Sequence, residues 1–153
     1  MNRKLQQFLY LANAHGYGSP EVNEERRQNG EHVITFAQDG FEFRDTYYGG
    51  EPYSGQEVIF ANGRAMWAMQ YRGRIMQGED VEPIYAFLGK VLTGPKLGLP
   101  RGVDGTVADG LTYQFEMDGE LDEFTAREII SRGKNVVYSA EFLGGLVDLT
   151  KES

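Results

Sequence analysis

The chain has 153 residues, 41% of them apolar, and a formal net charge of −8. This length and composition fit one ordinary domain able to bury a core, and the charge argues against non-specific nucleic-acid binding, whose affinity comes mainly from Lys and Arg neutralising phosphates. Cysteine is absent, which excludes disulfides, thiolate chemistry and Cys-ligated zinc.

Met1-Asn2-Arg3-Lys4 leads into Gln6 and Gln7, where a secretory signal would have an apolar run, and no stretch approaches a membrane span. A soluble, cytoplasmic protein with no membrane partner is expected. Over residues 2–13, Leu5, Phe8, Leu9 and Ala12 make the i, i+3, i+4, i+7 stripe of an amphipathic helix, with Gly16 to stop it. A long polar connection comes next, and then alternating strands joined across Asp39-Gly40 and Asn62-Gly63, where glycine accepts the positive φ of a tight hairpin. A second helix is expected over residues 81–93, with Asp80 as N-cap and Gly94-Pro95 as the stop. After a Gly-rich connection, residues 111–117 alternate strictly. Asp118-Gly119 then reads as a hairpin turn, and two more strands flank Arg132-Gly133-Lys134.

The two halves match each other. Leu5, Phe8, Leu9, Ala12, Ile34, Phe36, Asp39 and Gly40 recur as Ile84, Phe87, Leu88, Val91, Tyr113, Phe115, Asp118 and Gly119, an offset of 79. Glu57, Ile59, Trp67, Tyr71, Gly73 and Ile75 recur at an offset of 71 as Glu128, Ile130, Tyr138, Phe142, Gly144 and Leu146. The expected architecture is α+β: one domain over 1–153, made of two α-β-β-β-β pseudo-repeats at about 1–78 and 79–153. Antiparallel curved sheets would pack on two helices, with cystatin-like units as the preferred picture. The element order leaves open whether eight strands form one sheet, two sheets or a barrel.

What lacks a counterpart is the stretch Arg44 to Gln56, which concentrates Tyr47, Tyr48 and Tyr53 beside Gly49, Gly50 and Gly55, with carboxylates at Asp45, Glu51 and Glu57. Aromatic rings with polar tips around flexible backbone suit a small-molecule or peptide pocket. The plain alternative is a wide hairpin whose tyrosines pack on the sheet. Trp67 is a core position or a pocket wall, Arg72 a charged anchor or part of a solvated face with Arg74. Glu57 and Glu128 would form an acid/base pair only if a pseudo-twofold axis brought them together. His15 and His32, even helped by Glu21, Glu24 or Glu31, match no standard metal spacing. No phosphate loop, calcium loop or nucleophile elbow is present, and no cofactor is expected.

Phe43-Arg44-Asp45-Thr46-Tyr47-Tyr48-Gly49-Gly50, Gly55 with Glu57-Val58, Asn62-Gly63, Met66-Trp67-Ala68-Met69, Tyr71 with Gly73, and Phe142-Leu143-Gly144-Gly145 carry a family resemblance. The chain resembles a bacterial and archaeal domain family of unknown function whose members occur alone or appended to an Xre-type helix-turn-helix regulator. That resemblance implies ligand sensing or assembly over catalysis and transfers no catalytic residues. The expected function is a non-enzymatic module that binds a small molecule or peptide through Asp45, Tyr47, Tyr48, Gly49, Gly50, Tyr53, Glu57, Trp67 and Arg72. The alternatives are a hydrolase or isomerase using Glu57, Asp45 and a tyrosine, and a protein-interaction domain, such as a homodimer through an exposed strand edge.

Overall fold

A computed structural model of the chain describes residues 1–16 and 23–149. Its first helix, α1 (Arg3–Gly16), is started by Asn2, whose Oδ1 accepts the Leu5 amide at 2.9 Å. Strands β1 (Glu24–Arg26), β2 (Glu31–Gln38), β3 (Phe41–Tyr48), β4 (Tyr53–Ala61) and β5 (Arg64–Ile75) come after it. The second helix, α2 (Val81–Leu92), precedes β6 (Val107–Ala108), β7 (Leu111–Glu120), β8 (Glu123–Arg132) and β9 (Asn135–Leu146). Asp80 stands at the N-cap of α2, but its side chain makes no capping bond.

The nine strands of the described residues join in one antiparallel sheet of order β1-β2-β3-β4-β5-β9-β8-β7-β6. The α+β class holds, with a single open sheet. Both helices lie on one face, α1 against β2 and β3 and α2 against β7. The stripe Leu5, Phe8, Leu9, Ala12 and its equivalent Ile84, Phe87, Leu88, Val91 are buried on the inward side chains of the sheet in one core. At about 1.5–3 kcal/mol per fully buried large apolar side chain, these stripes hold the helices down. Both sheet edges are short, three residues in β1 and two in β6, which leaves little template for another strand. Among the described residues, no helix is long and apolar enough to cross a membrane.

Asp39-Gly40 and Asn62-Gly63 form tight turns with positive φ at all four residues. Asp118-Gly119 does not. There β7 runs on through Gly119 to Glu120, and Leu121-Asp122 make the turn. Leu121 is held in the core, its carbonyl accepts the Trp67 indole N–H at 2.9 Å, and Asp122 takes the N-terminal ammonium. The stretch Arg44 to Gln56 is likewise no wide insertion: it is most of β3, a tight connection and the start of β4. Strand β7 aligns in sequence with β2, yet it lies beside β8 as β3 lies beside β4, so in the order of the sheet its place is like that of β3.

Candidate functional site

Inward positions near the middle of the sheet carry polar groups where a core would place apolar ones. Asp45 on β3, Glu57 on β4 and Glu128 on β8 are all buried, as is Arg101 from the connection after α2. Asp45 and Glu57 lie directly opposite each other on neighbouring strands. Glu57 and Glu128 are in mid-strand. Strands β5 and β9 stand between them, a backbone separation of about 14 Å at normal strand spacing. They therefore do not form one acid/base pair.

Two glycines let tyrosines bridge this region. Tyr71 on β5 lies across its cross-strand partner Gly55 on β4 and donates its hydroxyl to Asp45 on β3. Tyr53 on β4 lies across its partner Gly73 on β5 and meets the Tyr138 hydroxyl on β9. A Cβ at Gly55 would stand 2.5 Å from the Tyr71 hydroxyl, and one at Gly73 2.5 Å from the Tyr53 ring. Gly73→Ala should therefore cost about 1–3 kcal/mol in urea denaturation through overpacking. Most of that loss should disappear in a Tyr53→Ala background; additive effects of the two changes would show that the ring does not depend on the glycine.

On the other side, Glu128 is a junction. It accepts the Arg101 guanidinium in bidentate fashion, Nε to Oε2 at 3.0 Å and Nη2 to Oε1 at 2.9 Å. It also accepts the Tyr138 hydroxyl at 2.8 Å and the Tyr113 hydroxyl at 2.5 Å. The Tyr113 oxygen in turn accepts the Gly102 amide at 3.2 Å. Gly102 permits this approach, since a Cβ there would run into Val91. Burial and neighbouring carboxylates hold the phenols of Tyr71, Tyr113 and Tyr138 far above the usual tyrosine range, and burial pushes Tyr53 up to about 12.

Above this layer, between the end of α1, the face of α2 and the sheet, is a cavity of about 460 Å³. Asp45, Glu24, Arg101 and the rings of Tyr47, Tyr53, Tyr71 and Tyr85 form its polar wall, and Ile34, Leu88 and Leu92 its apolar one. Gly49 and Gly50 of the β3–β4 connection edge it. That connection is fastened by Glu51, whose carboxylate accepts the Ile75 amide at 2.9 Å and the Tyr85 hydroxyl.

Of the residues expected from the sequence, Asp45, Tyr47, Gly49, Gly50 and Tyr53 meet at this cavity, and Glu57 is buried opposite Asp45. Tyr48 points to the other face, 48% exposed, and donates to Glu31 at 2.9 Å. Trp67 is fully buried and hydrogen-bonded in the core, away from the cavity wall. Arg72 lies on the helix-free face in a row of cross-strand neighbours, Arg72, Glu141, Arg127 and Glu116, whose alternating signs compensate one another. A groove of about 780 Å³ runs over that row, but its charges already face opposite charges. Sequence reasoning missed Tyr85 and Arg101 at this cavity, weighed Glu24 only as help for a two-histidine metal site, and took Tyr71 only as a sheet position.

His15 stacks on Phe36 and His32 on Tyr47, with His32 Nδ1 3.4 Å from Glu24. Glu21 lies outside the described residues. Among those described, no group of three or more His, Asp or Glu side chains is arranged to hold a metal.

A family model described as a domain of unknown function (DUF5680) matches residues 45–147, two thirds of the chain. The chain belongs to this family. No curated protein and no solved structure matches it. The DUF5680 match opens at Asp45 and so takes in the candidate residues Asp45, Tyr53, Glu57, Tyr71, Tyr85, Arg101 and Glu128.

Proposed function

We propose that the chain is a non-enzymatic module that binds a small molecule in the cavity between α1, α2 and the sheet. The observation that carries this reading is the cavity wall: about 460 Å³ of space bounded on one side by hydrogen-bonded tyrosines and Asp45, and on the other by Ile34, Leu88 and Leu92. Apolar area with a few oriented polar groups is the usual make-up of a ligand site. The resemblance to domains appended to Xre-type regulators supports a sensing role in the cytoplasm. A thermal-shift screen of a fragment library tests the reading. Stabilising fragments should lose their effect on Leu92→Trp, which fills the apolar end; unchanged shifts on a folded variant would remove the cavity from consideration.

An acid/base enzyme is the second reading, favoured by the Tyr71–Asp45 bond with Glu57 opposite. Against it, a useful proton donor has a pKa near the working pH, and Tyr71 is shifted away from neutrality. An edge-to-edge homodimer gains little support from edges only two and three residues long.

We also infer that the two halves, each with cystatin-like element order, descend from one duplicated unit. The hairpins β4–β5 and β8–β9 support this, because Glu57↔Met69 and Ile59↔Trp67 correspond at an offset of 71 to Glu128↔Ala140 and Ile130↔Tyr138. Both hairpins also carry a bulge at the same place, after Ile59 and after Ile130. On this reading Tyr53 across Gly73 corresponds to Phe124 across Gly144.

A further inference from the structure

The wall of this cavity is rich in rings and short of uncommitted hydroxyls, which bears on ligand chemistry if the cavity is the binding site of the proposed module. A tyrosine hydroxyl has one hydrogen to donate. Tyr71 gives its hydrogen to Asp45, Tyr47 to Glu24 and Tyr85 to Glu51. Tyr138 gives its own to Glu128, so in the contact between the two phenols Tyr53 is the donor. All four lining tyrosines therefore have their hydrogens engaged within the protein, and among the described residues no Ser, Thr, Asn, Gln, Lys or His lines the cavity. Sugars, peptides and phosphate esters are held through many hydrogen bonds, which side chains of this kind supply sparingly. The rings themselves are well placed. Tyr53 stands between Tyr71 and Tyr85, with ring centres 5.9 and 6.2 Å away and planes tilted by 57° and 60°. That is the spacing of favourable aromatic pairs, and a further ring can join such a strip at the same distance.

The charged groups of the wall are of both signs. Arg101 and Asp45 line the same cavity, and the Tyr53 and Tyr71 phenols lie in the field of both. Each is bonded within the protein, Arg101 in bidentate fashion to Glu128 and Asp45 to the Tyr71 hydroxyl. Glu24 accepts the Tyr47 hydroxyl and lies 3.6 Å from the Arg26 guanidinium. A charged head group of either sign would give up its hydration here and meet, beside a counter-ion that is already engaged, a charge of its own sign. An uncharged body gives up far less and gains contact with the rings and with Ile34, Leu88 and Leu92.

We propose that the cavity takes an uncharged aromatic molecule, its ring on the strip formed by Tyr71, Tyr53 and Tyr85 and its apolar edge against Ile34, Leu88 and Leu92. Four probes titrated calorimetrically into the intact chain test it: 2-naphthylethanol, its fully saturated decalin analogue, 2-naphthylethylamine and 2-naphthylacetate. The naphthyl alcohol should bind tightest. The amine and the carboxylate should each bind about tenfold or more weakly, because burying a charge beside engaged partners costs at least that factor. The decalin alcohol should bind roughly two- to tenfold more weakly, the worth of an aromatic contact beyond its area. A charged probe that equals or exceeds the naphthyl alcohol would overturn selection for an uncharged ligand while leaving the cavity a binding site. A decalin alcohol that binds as well as the naphthyl one would overturn the aromatic strip as the selecting feature. No binding by any of the four, or a naphthyl alcohol that binds folded Leu92→Trp as it binds the wild type, would overturn the cavity reading as well. The wild-type ranking decides the selection even where Leu92→Trp fails to fold.

Discussion

Arg101→Met should destabilise the protein by about 3–5 kcal/mol, the usual cost of leaving a buried charge without its counter-ion. The loss should exceed that of Glu128→Gln, although the two residues are partners in one bidentate pair. The reason is the charge of the whole interior. Among the described residues three buried carboxylates accompany one guanidinium, so removing the cation takes away the positive charge of an interior rich in carboxylates, whereas Glu128→Gln removes one of those carboxylates. Glutamine at 128 also keeps one carbonyl, which can accept from one of Tyr138 and Tyr113, the two phenols that bond different oxygens of Glu128. Urea denaturation of both variants, with midpoint and slope measured separately, reads the difference. Equal losses would mean that Arg101 and Glu128 act as an isolated pair and that Asp45 and Glu57 do not sense the guanidinium.

Raising the pH should unfold the protein steeply above pH 10. Tyr53, Tyr71, Tyr113 and Tyr138 all have folded-state pKa values above the ordinary 10.0. Below that value both states keep these phenols protonated, and the stabilisation is fully present. Above it the unfolded chain loses the protons first, so each tyrosine costs about 1.4 kcal/mol per pH unit until its own folded value is passed. Four together remove roughly 5–6 kcal/mol per unit, comparable with the whole stability of a typical domain. Tyrosinate absorbance and far-UV circular dichroism should change together in one cooperative transition. Four phenols ionising near pH 10 in a chain that keeps its native dichroism would contradict the buried network.

The helices and the tight turns are legible in the sequence because each depends on neighbours within a few positions: Leu5, Phe8, Leu9 and Ala12 along one helix face, Asn62-Gly63 at one turn. Strand extents are harder to see. Inward positions of β4 and β8 hold Gly55, Glu57 and Glu128, and a polar residue or a glycine in the core register interrupts the alternation that marks a strand. Asp118-Gly119 misleads for the opposite reason. Its composition is that of a turn, and only the distant anchors of Leu121 and Asp122 move the turn three residues on. The site divides along the same line. Asp45, Tyr47, Gly49, Gly50 and Tyr53 stand out because they cluster in sequence. Arg101 comes from a connection without periodicity and meets Glu128 across 27 residues, and Tyr85 looks like one more position on a helix.

The two glycines under the tyrosine rings set how deep a ligand can reach. The Tyr71 hydroxyl passes close over Gly55 and the Tyr53 ring over Gly73, so any side chain at either position would push its tyrosine out of place on the cavity wall. The shape of the space is thus written partly in residues that would never touch what fills it. A scan for ligand contacts would pass over Gly73, yet cavity depth should respond to it as sharply as to any residue on the wall.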